Sequence, residues 1–145
     1  MATSAQKTRG ARDRLVARLG EHPAIFFALL FGSRISGRGV RPDSDWDLGV
    51  FLDPTLTARE RFELRLRLIA ELEEVAPVDV TVLNDAPPLL GHRALQGELL
   101  CARDRVAYVR YFVKTFAMSE DERHYREIHR RAREERLREG RFGRP

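Results

Sequence analysis

Residues 30–51 read LFGSRISGRGVRPDSDWDLGVF, and the fold turns on how this stretch is read. It begins at the end of an apolar run, Phe26-Phe27-Ala28-Leu29-Leu30-Phe31, which is apolar on both faces as a buried central strand must be. Gly32 ends that run. Glycine tolerates a tight turn and lets backbone N–H groups come close to an anion, and Ser33 adds a hydroxyl where a short helix can start. Arg34 can place a guanidinium beside the same anion. A loop rich in Gly, Arg and Pro follows, and a second apolar run opens with Asp45-Trp46-Asp47.

If a strand begins at Asp45, side chains alternate across the sheet. Asp45 and Asp47 then share one face, with Trp46, Leu48 and Val50 on the other. Two residues of strand rise put the two acids roughly 7 Å apart at Cα, close enough for their carboxylates to share divalent cations. Oxygen-only ligands of this kind suit Mg²⁺ or Mn²⁺ better than zinc. A third acid, Asp79, interrupts the valines of Val78-Asp79-Val80-Thr81-Val82, where an uncompensated carboxylate would be costly. Because charges gathered this way repel, at least one of the three is expected to titrate above its ordinary range when no metal is bound.

Working outward, helical spacing predicts a short amphipathic helix over Ala5 to Leu19, built on Leu15, Val16 and Leu19, ended by Gly20 and Pro23. Strands are expected at about Ala24–Phe31 and Asp45–Leu52, with the phosphate loop and short helix at Gly32–Gly37 between them. Thr57 is placed to cap a helix over Ala58 to Val75, whose buried face is read as Phe62, Leu66, Ile69 and Leu72, with Pro77 as its stop. A strand bearing Asp79 leads into a helix from Ala86-Pro87-Pro88 through Leu95, and Glu98–Ala102 reads as a short edge strand. After Asp104 comes a helix whose apolar positions, Val106, Val109, Tyr111, Phe112, Val113 and Phe116, are free either to pack on the domain or to face a partner. Beyond Met118 the chain alternates Arg and Glu, as a solvated helix with i,i+4 ion pairs does, and Gly140 to Pro145 reads as a frayed end.

The length, 145 residues, is that of one domain, and an apolar content of 43% supplies a core. A net charge of +4 permits nucleic-acid binding without requiring it, so direct contact with RNA ranks below a protein partner for the charged tail. The single cysteine, Cys101, reads as a small buried hydrophobe. With no secretory signal and no apolar run of about 18 residues, the expected location is cytoplasmic, with no membrane contact.

Gly32-Ser33, eleven residues, Asp45-Trp46-Asp47 and then Asp79 resemble the signature of the DNA polymerase beta-type nucleotidyltransferases. Over about residues 24 to 118 the chain more closely resembles the minimal nucleotidyltransferase (MNT) proteins, many of which are antitoxins encoded beside HEPN ribonuclease toxins. It departs from them in a loop one residue longer than the commonest form, and in Trp46 where an aliphatic residue is usual. The resemblance implies an α/β (α+β) nucleotidyltransferase fold, a small mixed sheet flanked by helices with a long C-terminal helix. Residues 1–118 would form the minimal nucleotidyltransferase domain, and 119–145 a charged extension and tail. It further implies Asp45, Asp47 and Asp79 as catalytic metal ligands, Gly32, Ser33 and Arg34 as nucleotide-binding residues, Mg²⁺ (or Mn²⁺) as cofactor and ATP as substrate. The implied reaction moves AMP onto a tyrosine of a HEPN toxin. Two other readings stay open, a nucleotidyltransferase acting on a small molecule such as an aminoglycoside, and a non-catalytic antitoxin that only masks its partner.

Overall fold

A four-stranded mixed sheet, in the order β3-β2-β1-β4, carries the chain. The computed structural model describes residues 2–36 and 44–140. The segment 37–43, which holds Gly37, the last residue of the expected phosphate loop and short helix, and the tail 141–145 lie outside the described residues.

The run that is apolar on both faces becomes β1 (Ile25–Phe31), a central strand paired antiparallel with β2 (Trp46–Leu52) on one side and β4 (Glu98–Ala102) on the other. β3 (Val78–Val82) pairs parallel with β2, as a strand must when it is reached through a crossover helix, here α3 (Ala58–Leu72). Alternation along the strands divides the core in two. On one face Ala28, Leu30, Leu48, Val50 and Val80 pack under α1 (Ser4–Gly20) and α3. On the other, Phe27, Leu29 and Phe31 pack under α4 (Pro88–Leu95) and the first turns of α5 (Arg105–Arg138). The fold is thus the expected mixed sheet with helices on both faces and a long C-terminal helix.

Local signals set the helix starts. Thr57 caps α3 with a full capping box to Glu60, and Thr3 does the same for α1 with Gln6. The Asp104 side chain accepts from Ala107 N at 3.0 Å to start α5.

The buried face of α3 differs from the expected one. Leu64, Leu68 and Leu72 point into the core, while Phe62 and Leu66 are exposed and Ile69 is only half-buried. Two apolar stripes overlap on this helix, sharing Leu72, and the leucine stripe is the one buried. Arg61 reaches Asp85 with both Nε and Nη2, and Arg65 Nε donates to Val80 O at 2.6 Å at the sheet edge. The 64/68/72 stripe shares one core with Leu15 and Leu19, and these bonds are compatible with that orientation. The helix also stops at Leu72, short of the expected Val75.

α5 packs inward through Ala107, Tyr108, Tyr111 and Thr115, with Tyr111 beside both Phe27 and Phe51. Val106, Val109, Phe112, Val113 and Phe116 face outward. Beyond them the helix is exposed and laced by ion pairs, including Arg126 to Glu122, Arg130 to Glu134 and Arg131 to Glu127. Among the described residues no helix is long and apolar enough to cross a membrane.

Candidate active site

The strand pairing brings two of the three aspartates together. β2 and β3 run parallel in a register that sets Asp47 directly beside Asp79, and Gly49 beside Thr81. Residues paired in this way on a sheet present their side chains to the same face. That face is the one covered further along by α4 and α5. Val78 and Val80 point to the opposite face and are buried there, which leaves Asp79 exposed. The third aspartate sits differently from the sequence expectation. β2 starts at Trp46, whose N–H donates to Pro77 O at 2.8 Å, so Asp45 lies one residue outside the strand and is exposed.

Gly32 completes the cluster from β1. Phe31 pairs with Asp47, so the next residue turns away directly beside that carboxylate. Gly32 adopts φ +79°, in the region that side chains disfavour. A Cβ there would overlap Asp47 Oδ2 and lie 3.0 Å from Cγ. The backbone therefore approaches the acid as closely as it does only because residue 32 has no side chain. Ser33 opens the four-residue helix α2 (Ser33–Ser36), and Ile35 N closes its turn on Gly32 O at 3.1 Å.

Arg34 is engaged with the loop. Its guanidinium stacks over Trp46, 4.5 Å from the ring centroid, and Nη2 donates to Ser44 O at 2.7 Å. In this arrangement it ties α2 to the residues that lead into β2.

Electrostatics single out Asp47. Its pKa is raised above the ordinary 3.8, first by burial and then by the like charge of Asp79, with a further push from Asp45. This is the raised carboxylate that clustering predicts. Arg93 on α4 opposes the shift and acts on Asp47 more strongly than Asp45 does. Sequence reasoning missed this residue, an arginine set between the buried His92 and Ala94 near the end of an apolar helix.

Among the described residues no three acidic, histidine or cysteine side chains are already drawn into one metal-ligating group. The donor set nevertheless fits a hard divalent ion, being all carboxylate, with a charge repulsion that a bound cation relieves. A cleft of about 600 Å³ bordered by Phe26, Phe51, Leu83 and Tyr111 does not include Asp45, Asp47 or Asp79. Cys101 is half-buried against the core, and burial raises its thiol pKa, which suits a packing role.

Residues 14–106 fit the family described as Polymerase beta, Nucleotidyltransferase. The chain belongs to this nucleotidyltransferase family. Solved structures agree in fold. A chain of a toxin-antitoxin structure determined with AMP-PNP is 26% identical, with a TM-score of 0.60 over 80% of this chain and 93% of that one. A chain from the tri-AMPylated HEPN toxin of Shewanella oneidensis in complex with MNT antitoxin is 24% identical, with a TM-score of 0.59 over 83% of this chain and 92% of its own. A chain of the toxin-antitoxin MntA-HepT is 23% identical, with a TM-score of 0.59 over 83% of this nucleotidyltransferase and 93% of that chain. No curated protein matches the sequence.

Proposed function

We propose that this nucleotidyltransferase is a Mg²⁺-dependent adenylyltransferase that moves AMP from ATP to a tyrosine hydroxyl of a HEPN-type toxin, and so acts as an antitoxin. The observation that carries the reading is the registered pair Asp47 and Asp79 beside the backbone of Gly32. The toxin-antitoxin neighbours, one of them determined with AMP-PNP and another AMPylated, favour a nucleotide as donor and a HEPN protein as acceptor.

In this reading Asp45, Asp47 and Asp79 hold the ion, and Gly32 and Ser33 cradle the phosphates with Arg34 bracing the loop beneath them. When bound, Mg²⁺ neutralises phosphate charge and favours the ionised form of the attacking hydroxyl. The acceptor oxygen attacks the α-phosphorus, the bond from that phosphorus to the bridging oxygen breaks, and pyrophosphate leaves. Asp79, the most exposed of the registered pair, takes the hydroxyl proton. In-line positioning supplies much of the rate. The exposed stripe Val106, Val109, Phe112, Val113 and Phe116 offers the acceptor protein an apolar surface of the kind that marks interaction sites.

The test is incubation of the protein and a co-purified HEPN partner with labelled ATP and Mg²⁺. Label on a partner tyrosine that disappears in the Asp45→Asn, Asp47→Asn double variant supports the reading. Silencing of the toxin by that double variant, without label, would instead make this a masking protein.

A further inference from the structure

We propose that Arg93 binds the β- and γ-phosphates of the nucleoside triphosphate. This rests on the nucleotidyltransferase reading above.

The packing of α4 sets where Arg93 stands. Gly91 and His92 are turned onto α5, Gly91 so closely that a Cβ would lie 3.0 Å from Thr115 Cγ2, and His92 with its ring 5.3 Å from Phe116. Ala94 is buried against the aromatic face of the sheet. Leu90, one turn before Arg93, borders a hollow with Thr81 of β3. Thr81 shares its face of β3 with Asp79, two residues earlier. Residues three apart on a helix lie on one side, so Arg93 continues the Leu90 side by one turn. The end of α4 is pinned by Gly97, where a Cβ would lie 3.0 Å from Phe31 Cα. Phe31 is the partner of Asp47 and the neighbour of Gly32. Arg93 therefore projects from the last turn of a helix packed on α5 and held at its C-terminal end, on the side where the aspartates stand.

Its charge is felt at Asp47, yet among the described residues it closes on no aspartate, and it is exposed. Among the described residues it has no hydrogen-bond partner. A guanidinium that faces carboxylates without closing on them is poorly used as a counter-ion. Once the acids are neutralised by a divalent ion, the strongest anion left in the site is the polyphosphate, which suits the planar fork of an arginine better than a point charge.

Binding of ATP, ADP and AMP, each with Mg²⁺, is measured by calorimetry on the wild type, Arg93→Ala and Arg93→Lys. Arg93→Ala is expected to weaken ATP by about tenfold or more, the scale of a lost charged hydrogen bond, and to leave AMP within about twofold. Arg93→Lys should recover part of the ATP affinity, and all three proteins should melt alike, since Arg93 is exposed. Unchanged ATP affinity in Arg93→Ala, or equal losses for ATP and AMP, would overturn the assignment while leaving the transferase reading intact. A wild type that binds no nucleotide in the presence of Mg²⁺ overturns the transferase reading, and this one with it.

Discussion

Gly32 lies so close to Asp47 that a single added carbon would overlap the carboxylate, and the two residues hold each other in place across the end of the β1–β2 pair. Gly32→Ala therefore meets two penalties. The left-handed backbone costs a side chain about 1–2 kcal/mol, and the new methyl pushes Asp47 away from Asp79. The expected outcome is a melting temperature several degrees lower, together with loss of the stabilisation that Mg²⁺ and ATP give the wild type. Thermal melts with and without Mg²⁺-ATP check this, and a variant that keeps the full ligand shift would count against the site.

Asp47 links the site to pH. Its pKa is raised in the folded chain relative to 3.8, so the folded state holds that proton more tightly than the unfolded one. The stability this contributes is fully present below 3.8 and is lost as pH climbs through the raised value. At neutral pH the ionised group opposes folding. Metal-free Asp47→Asn is thus expected to melt above the wild type at pH 7, with the advantage shrinking as pH falls toward 4. Ligand reverses the order. ATP with Mg²⁺ at a hundredfold its Kd stabilises the wild type by about 2.7 kcal/mol, and the variant should gain almost nothing. Melts across that pH range, with and without ligand, test both halves, and a variant no more stable than the wild type at pH 7 without metal would sink the first.

Arg34 and Arg93 are expected to behave differently. Arg34 spends its guanidinium on Trp46 and on Ser44 O, so Arg34→Ala removes a stacking contact and a hydrogen bond, worth about 1–2 kcal/mol together. That loss belongs to the loop and should appear equally with and without Mg²⁺-ATP. A decrement confined to the liganded protein would instead place Arg34 on the phosphates.

The sequence made the acids legible because alternation on a strand is a local rule, and it separated Asp47 from Leu48 and Val50 correctly. It could not show that Asp79 lies beside Asp47, since parallel register is set by the whole crossover through α3. Arg93 was hidden for the same reason, its meaning coming from where α4 docks. On α3 the local rule was ambiguous. Phe62, Leu66 and Ile69 recur at helical spacing as well as Leu64, Leu68 and Leu72 do, and it is the second set that the fold buries. Chemical denaturation should separate the two stripes. Leu68→Ala is expected to cost about 2–5 kcal/mol, and Leu66→Ala to stay within about 0.5 kcal/mol. Similar losses for the two would mean the helix is turned otherwise.

The outer face of α5 carries the last prediction. Val106, Val109, Val113 and Phe116 recur at three- and four-residue intervals, so they line one side of the helix, and Val113 is 63% exposed and Val109 55%. Tyr108, Tyr111 and Thr115 hold the helix to the sheet from the opposite side, so the outer stripe contributes little to folding. A Val109→Asp, Val113→Asp double variant should therefore melt within a few degrees of the wild type, each change being worth about 0.5 kcal/mol or less. Charge placed on an apolar contact costs far more, because a carboxylate must then be desolvated without a partner. Co-purification with a HEPN-type partner should accordingly fail for the double variant while ATP binding, which depends on the other side of α4, is retained. A variant that still captures the partner at wild-type yield would move the docking surface off this helix.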